Sequence, residues 1–167
     1  MKHFYIANSK ISGKGLMAGE DIKKNSLITR INGSLKFKNN KNKKDALAHP
    51  DWVGVKKNIW IDPLRPHKFL NHSCNPTAGA RGITLIAIRD IKEGEEITVD
   101  YSTIEGDNRW EMPCSCGEKN CRKLIRSIEF LTQEQFMSIP YIPAYFRKLY
   151  FKKNSGRKVY NKEYKFS

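Results

Sequence analysis

The chain has 167 residues, 39% hydrophobic and 29% charged, enough for one ordinary domain that buries roughly 70% of its unfolded surface without disulfide help. Its longest apolar stretch, residues 83–88, is far too short for a membrane-crossing helix, so a membrane protein is not expected. Charge is the outlier: 31 Lys and Arg against 17 Asp and Glu leave +14, dense in residues 36–44 and 147–165. A field of that sign attracts nucleic acid or another polyanion. A bias toward Lys, Asn and Ile with a solvated basic face accounts for the same count, and no basic-aromatic recognition motif accompanies it. The start, MKHFYIANSK, lacks the apolar segment of a secretory signal. The expected compartment is therefore intracellular and reducing: cytoplasmic in a prokaryote, with the nucleus open to a eukaryotic or viral protein.

In chain order, runs rich in β-branched and aromatic residues predict strands at 4–7, 27–31, 59–61, 83–88 and 96–101. Residues 36–44 have no apolar period and read as an exposed loop leading into a short helical piece near 45–49. No internal repeat is visible. Beyond Cys121 the pattern changes: Thr132-x-x-Gln135 reads as a capping box opening a short helix that Pro140 ends, and Pro143 suits the first turn of another. Ile142, Phe146, Leu149 and Lys153 fall on one face of that second helix, which is expected to pack on the core. The last dozen residues are polar and expected to fray.

Four clusters carry chemistry. Cys114-x-Cys116-(x4)-Cys121 and the earlier Cys74 account for every cysteine, and four thiolates in a reducing compartment suit tetrahedral zinc. Free thiols, or any of three disulfide pairings, are the other readings. FLNHSCNP, residues 69–76, reads as a polar turn crowded with hydrogen-bonding groups; a Cys74–His72 nucleophile lacks an orienting partner. GEEITVDY, residues 94–101, reads as a turn and half-buried strand ending in Tyr101, and Gly13-Lys14-Gly15 as a site of close backbone approach.

Taken in order, GKGLMAGEDIKKNSLI, FLNHSCNP, GEEITVDY and CSCGEKNC resemble the SET-domain family of protein lysine methyltransferases, down to its zinc-binding post-SET segment. The resemblance spans roughly residues 4 to 125. It implies a mainly β SET fold of several small, β-clip-like sheets, with a knot-like passage where FLNHSC and GEEITVDY meet. It divides the chain into a SET domain at 1–113, a post-SET segment at 114–125 and a helical extension at 126–167. It also implies S-adenosylmethionine-dependent methylation of lysine on a protein substrate, a histone or a nucleic-acid-bound protein among the possibilities. Gly13, Lys14, Gly15, Leu16, Asn71, His72 and Leu124 are then expected at the cofactor, Tyr101 as the catalytic tyrosine, and Cys74, Cys114, Cys116 and Cys121 on zinc. Ile31 stands where a tyrosine often lines the lysine pocket, Val99 where Phe or Tyr is common, Thr77 for Asn and Lys123 for Gly. The competing expectation is a basic SET-like binding module, associated with chromatin or nucleic acid, with weak or no turnover.

Overall fold

The computed structural model describes residues 1–37 and 51–155. The helical piece expected near 45–49, most of the basic loop before it and the last dozen residues lie outside the described residues. Twelve short strands and two α-helices follow one another within the described part. The first nine strands are β1 (Phe4–Asn8), β2 (Lys14–Ala18), β3 (Leu27–Arg30), β4 (Gly33–Phe37), β5 (Val53–Lys56), β6 (Ile59–Pro63), β7 (Asn71–His72), β8 (Ala78–Arg81) and β9 (Thr84–Ala87). β10 (Glu96–Val99), β11 (Glu111–Pro113) and β12 (Leu124–Arg126) complete the set, and α1 (Gln133–Ser138) and α2 (Ala144–Asn154) close the fold.

The strands form four small sheets, ordered β1-β2-β10-β7, β3-β9-β8, β4-β6-β5 and β11-β12. The architecture is mainly β and built of small sheets, as the SET resemblance implies. All pairings are antiparallel except one: β10 runs parallel to β7, setting Thr98 opposite Asn71 and Val99 opposite His72. FLNHSC and GEEITVDY therefore meet through backbone hydrogen bonds. Thr77, the substitute for Asn, locks this meeting: its hydroxyl donates to the Glu96 carbonyl at 3.2 Å and accepts the Thr98 N–H at 2.8 Å. Between the sheets lies an apolar core in which Leu16, Ile22, Ile28, Leu85, Ile91 and Ile97 are almost wholly buried. Each such side chain contributes roughly 1.5–3 kcal/mol relative to an exposed one.

All five predicted strands are present, but their ends differ. β10 stops at Val99 because the buried Asp100 carboxylate accepts the Ser102 N–H at 3.0 Å and caps a 3-10 turn, Tyr101–Ile104. Lys36 and Phe37, expected in a loop, extend β4 because Trp60 and Ile59 pair opposite them. The capping box forms as predicted: the Thr132 hydroxyl accepts the Gln135 N–H at 3.2 Å, and the Gln135 side chain accepts the Thr132 N–H at 2.9 Å. Pro143 takes the N-cap of α2, one position before the expected first turn. Of the predicted face of α2, Ile142 and Phe146 are buried and Leu149 packs against their cluster, but the face does not extend to Lys153. Phe146, Tyr150 and Asn154 point inward, while Lys153 is exposed beside Glu129 at 3.4 Å. Stacking of Phe136 on Tyr150, with centroids 3.8 Å apart, rotates the helix that way.

Candidate functional site

Leu70 and Asn71 stand between a cavity and the glycine turn. On one side the Tyr101 hydroxyl donates to the Leu70 carbonyl at 2.7 Å. The half-buried phenol sits on a narrow cavity of ≈ 40 Å³ lined by Asp51, Trp52, Leu70, Trp110 and other side chains. Burial, with Asp51 and Glu96 nearby, pushes the phenol well above its ordinary pKa, so it stays a neutral hydrogen-bonding group. On the other side the Asn71 amide donates to the carbonyls of Ser12 at 3.2 Å and Lys14 at 3.0 Å and to Glu96 Oε1 at 2.7 Å. One side chain thereby fixes the glycine turn against β10.

The glycines explain why this turn has its sequence. A Cβ on Gly15 would stand 2.1 Å from Glu96 Oε1, so any other residue would displace the carboxylate that Asn71 and the Ser9 hydroxyl hold. Gly13 has φ +49° with open space where a Cβ would point, leaving backbone accessible to a ligand. Leu16 is fully buried in the core and offers only its main chain. Leu124, on β12, exposes 45% of its surface, an apolar side chain free to cover a flat ligand.

The four cysteines converge as free thiols. Cys114 Sγ lies 3.8 Å from Cys74 Sγ and 3.7 Å from Cys121 Sγ. Four sulfurs at 2.3 Å from one tetrahedral ion stand about 3.8 Å apart, so these two separations are compatible with zinc, although the ligating atoms that lie within 4.8 Å of one another are those of His72, Cys74, Cys114 and Cys116, without Cys121. Burial pushes the Cys74 and Cys114 thiols up, as expected for crowded sulfurs that a divalent cation would instead ionise. His72 Nε2 joins the cluster of ligating atoms with Cys74, Cys114 and Cys116, 3.3 Å from Cys74 Sγ. His72 Nδ1 accepts the Tyr101 N–H at 3.2 Å, so in the neutral ring Nε2 carries the proton and donates to the Cys74 sulfur. Desolvation lowers the His72 pKa to about 4, against the pull of Asp100. The ring thus links the thiol cluster to the backbone of Tyr101.

Two residues absent from the predicted set complete this link. Asp100, 3% exposed, accepts Arg122 Nη2 at 2.6 Å, and Arg122 also directs its backbone N–H and Nε to the Cys74 sulfur, each at 3.4 Å. A guanidinium spanning a carboxylate and a thiol cluster is a tether as well as a charge. Position gave a signal for both, since Asp100 precedes Tyr101 and Arg122 follows Cys121. Trp52 and Trp110 carried none, because they reach the cavity from widely separated parts of the sequence. Ile31 and Val99 do not line that cavity. Both lie in the main core, 3% and 2% exposed, so the walls of that cavity are other side chains.

A family model described as SET domain matches residues 13–102. Histone-lysine N-methyltransferase 2D of Homo sapiens is 30% identical over 135 residues, covering 71% of this chain and 2% of that protein. Histone-lysine N-methyltransferase trr of Drosophila melanogaster is 32% identical over 139 residues, 71% of this chain and 6% of its own. The H3 lysine-36 specific enzyme of Debaryomyces hansenii is 32% identical over 135 residues, 71% of this chain and 18% of its own. The chain therefore spans less than a fifth of the length of these relatives.

Proposed function

The chain belongs to the SET-domain family, and from that premise we propose that it methylates lysine side chains on a histone or another basic chromatin protein, using S-adenosylmethionine. The observation that carries this reading is the dividing position of Leu70 and Asn71, with a tyrosine-ended cavity on one side and a glycine turn on the other. Such a cavity admits one narrow chain end. Trp52 and Trp110 suit the stem of a lysine and, by cation–π attraction, its ammonium.

When bound, S-adenosylmethionine supplies a methyl group on a cationic sulfur. The residues present fit it: backbone at Gly13, Lys14, Gly15 and Leu16, the Asn71 amide, the half-buried Glu96 carboxylate for cationic groups, and exposed Leu124 for the adenine. His72 contributes main chain only, because its ring is committed to Tyr101 and Cys74. Lysine has a pKa near 10.4 in water and no lone pair while protonated, so the cavity must favour the neutral amine by desolvation. The neutral Tyr101 hydroxyl then orients that amine toward the glycine side, which lowers the entropic part of the barrier. Cys74, Cys114, Cys116 and Cys121 would hold zinc in this reading, which would tie β12, and Leu124 on it, to the turn at Cys74.

The binding-module alternative rests on the hydroxyl missing at Ile31, which lies in the core; Tyr101 keeps its own hydroxyl beside the cavity and favours the enzyme. Among the described residues no helix is long and apolar enough to cross a membrane. The compartment we propose follows the substrate, the nucleus where that substrate is a histone. The test is transfer of labelled methyl to histones by wild type and Tyr101→Phe. Loss of one hydroxyl should cut turnover by roughly 10²-fold while cofactor affinity stays within about twofold, because the hydroxyl acts on the reacting amine. Wild-type turnover in Tyr101→Phe would remove the tyrosine from the mechanism. No label from the wild type on any histone, with cofactor still bound, would leave a binding module.

A further inference from the structure

A second opening lies beside the Tyr101 cavity, and methyl transfer makes no use of it. It is a groove of ≈ 650 Å³ between the β5–β6 hairpin and α2, and Glu105 belongs to the walls of both openings. Lys56 and Lys57 stand at the hairpin turn on one rim, Lys148 and Lys152 on the exposed face of α2 on the other. None of these four forms an ion pair with a described residue. The acids of the groove are already engaged. Glu129 pairs with Lys153 at 3.4 Å and Asp107 with Arg109 at 3.3 Å, while the buried Glu105 accepts the N–H groups of Gly106 and Asp107 at 2.7 Å each. Lys148 and Lys152, four apart on one helix, repel each other.

We infer that this groove seats the phosphate backbone of duplex DNA, so that a DNA-bound substrate meets the Tyr101 cavity from an anchored position. DNA binding itself stands on the groove; only the passenger, a substrate lysine, rests on the methyltransferase reading. Lysines on flexible stems suit the evenly spaced point charges of phosphates and lack the planar fork that reads a carboxylate in two bonds. Global charge points the same way. A +14 enzyme repels a free basic tail over about 8 Å at physiological salt, and a duplex held at the rim reverses that field.

The experiment measures anisotropy of a labelled 20-base-pair duplex against salt concentration, using the full chain. The rim variant K56A/K57A/K148A/K152A is compared with K23A/K24A/R30A/K92A, which loses the same charge away from the groove. All eight side chains are exposed, and a thermal melt checks that both variants fold. The expected slope of log affinity against log salt is shallower by about 0.9 for each phosphate left unneutralised, about 3.6 for the rim variant, with the control within about 1 of wild type. Equal losses in both variants would show a diffuse field and overturn the site, as would a wild-type slope in the rim variant. An oligoglutamate peptide that binds the wild type more tightly than the duplex, and forfeits that advantage in the rim variant, would overturn it in favour of an acidic protein. Rim-dependent DNA binding without methylation of any histone sinks only the methyltransferase reading. Methylation with rim-independent DNA binding sinks only the DNA groove.

Discussion

Around the β11–β12 hairpin the chain buries three side chains in a small cluster of its own, Cys114, Cys116 and Ile125, whereas the cluster formed within residues 128–150 buries seven apolar side chains, with Phe136 and Tyr150 stacked at their centre. The two stretches are neighbours in sequence and are held by different forces. The second is packed mainly by the hydrophobic effect. The first depends on atoms far up the chain: Arg122 on Asp100, Asn120 on the Cys74 carbonyl at 3.2 Å, and sulfurs packed against Cys74. The difference separates a scaffold from a closure. If the thiols hold a metal, order in 111–126, the segment that carries Leu124, should depend on it.

The largest expected effect follows from removing the metal that the four cysteines are proposed to hold. Structural zinc contributes on the order of 10 kcal/mol to segments that bind it, far more than three buried side chains supply. Metal analysis should return about one zinc per chain. A strong chelator under reducing conditions should then speed hydrogen exchange at the Cys114 and Leu124 amides by about 10²-fold or more, and weaken cofactor binding. Protection of the Phe136 amide, whose N–H bonds to the Thr132 carbonyl at 2.9 Å, should hardly change. If both stretches lose protection together, they are one cooperative unit and the division into scaffold and closure fails.

The reciprocal perturbation is Phe136→Ala. Phe136 is 3% exposed and stacked on Tyr150, so truncation should cost roughly 3–5 kcal/mol through forfeited burial and the cavity left behind. Calorimetry of the zinc-loaded protein reads the loss, and zinc content should stay at about one per chain because no thiol belongs to that cluster. A variant that lost its metal along with its stability would join the two regions energetically.

Legibility in the sequence divides along similar lines. The capping box at Thr132 and Gln135 was readable because both partners lie within four residues and their hydrogen bonds are local. The strands at 4–7 and 83–88 were readable from β-branched runs. β7 and β8 were not, since two residues, or an Ala-Gly-rich four, carry no alternation; only the parallel ladder to β10 makes a strand of Asn71 and His72. Convergence of the thiols could be anticipated from counting cysteines, but the bridge from Arg122 to Asp100 depends on a close approach that spacing does not encode. Ile31, aligned by motif to a pocket tyrosine, lies in the core, and the walls of the Tyr101 cavity come from Trp52 and Trp110 in distant segments, which spacing does not announce.

The smallest expected effect is also the most discriminating, because its presence depends on whether the closure is ordered. Lys123 has φ +64°, a left-handed backbone in which a β-carbon crowds the following carbonyl at a cost of about 1–2 kcal/mol. The conformation is fixed from outside: the Lys123 carbonyl accepts the Cys114 N–H at 2.7 Å and closes the loop around the thiols. Glycine relieves that strain but gives the unfolded chain more freedom, which takes back roughly 0.5–1 kcal/mol. Lys123→Gly should therefore stabilise the zinc-loaded protein by a net of about 0.5 kcal/mol, raising its melting temperature by roughly 1–2 °C for a chain of this size. Lys123→Ala keeps the β-carbon and should show no gain, which separates strain relief from the removal of a charge. After chelation the segment no longer holds residue 123 in the left-handed region, so the glycine should confer nothing. A gain that survives metal removal would mean that the loop keeps its shape without the thiol cage, and the closure would be part of the scaffold after all.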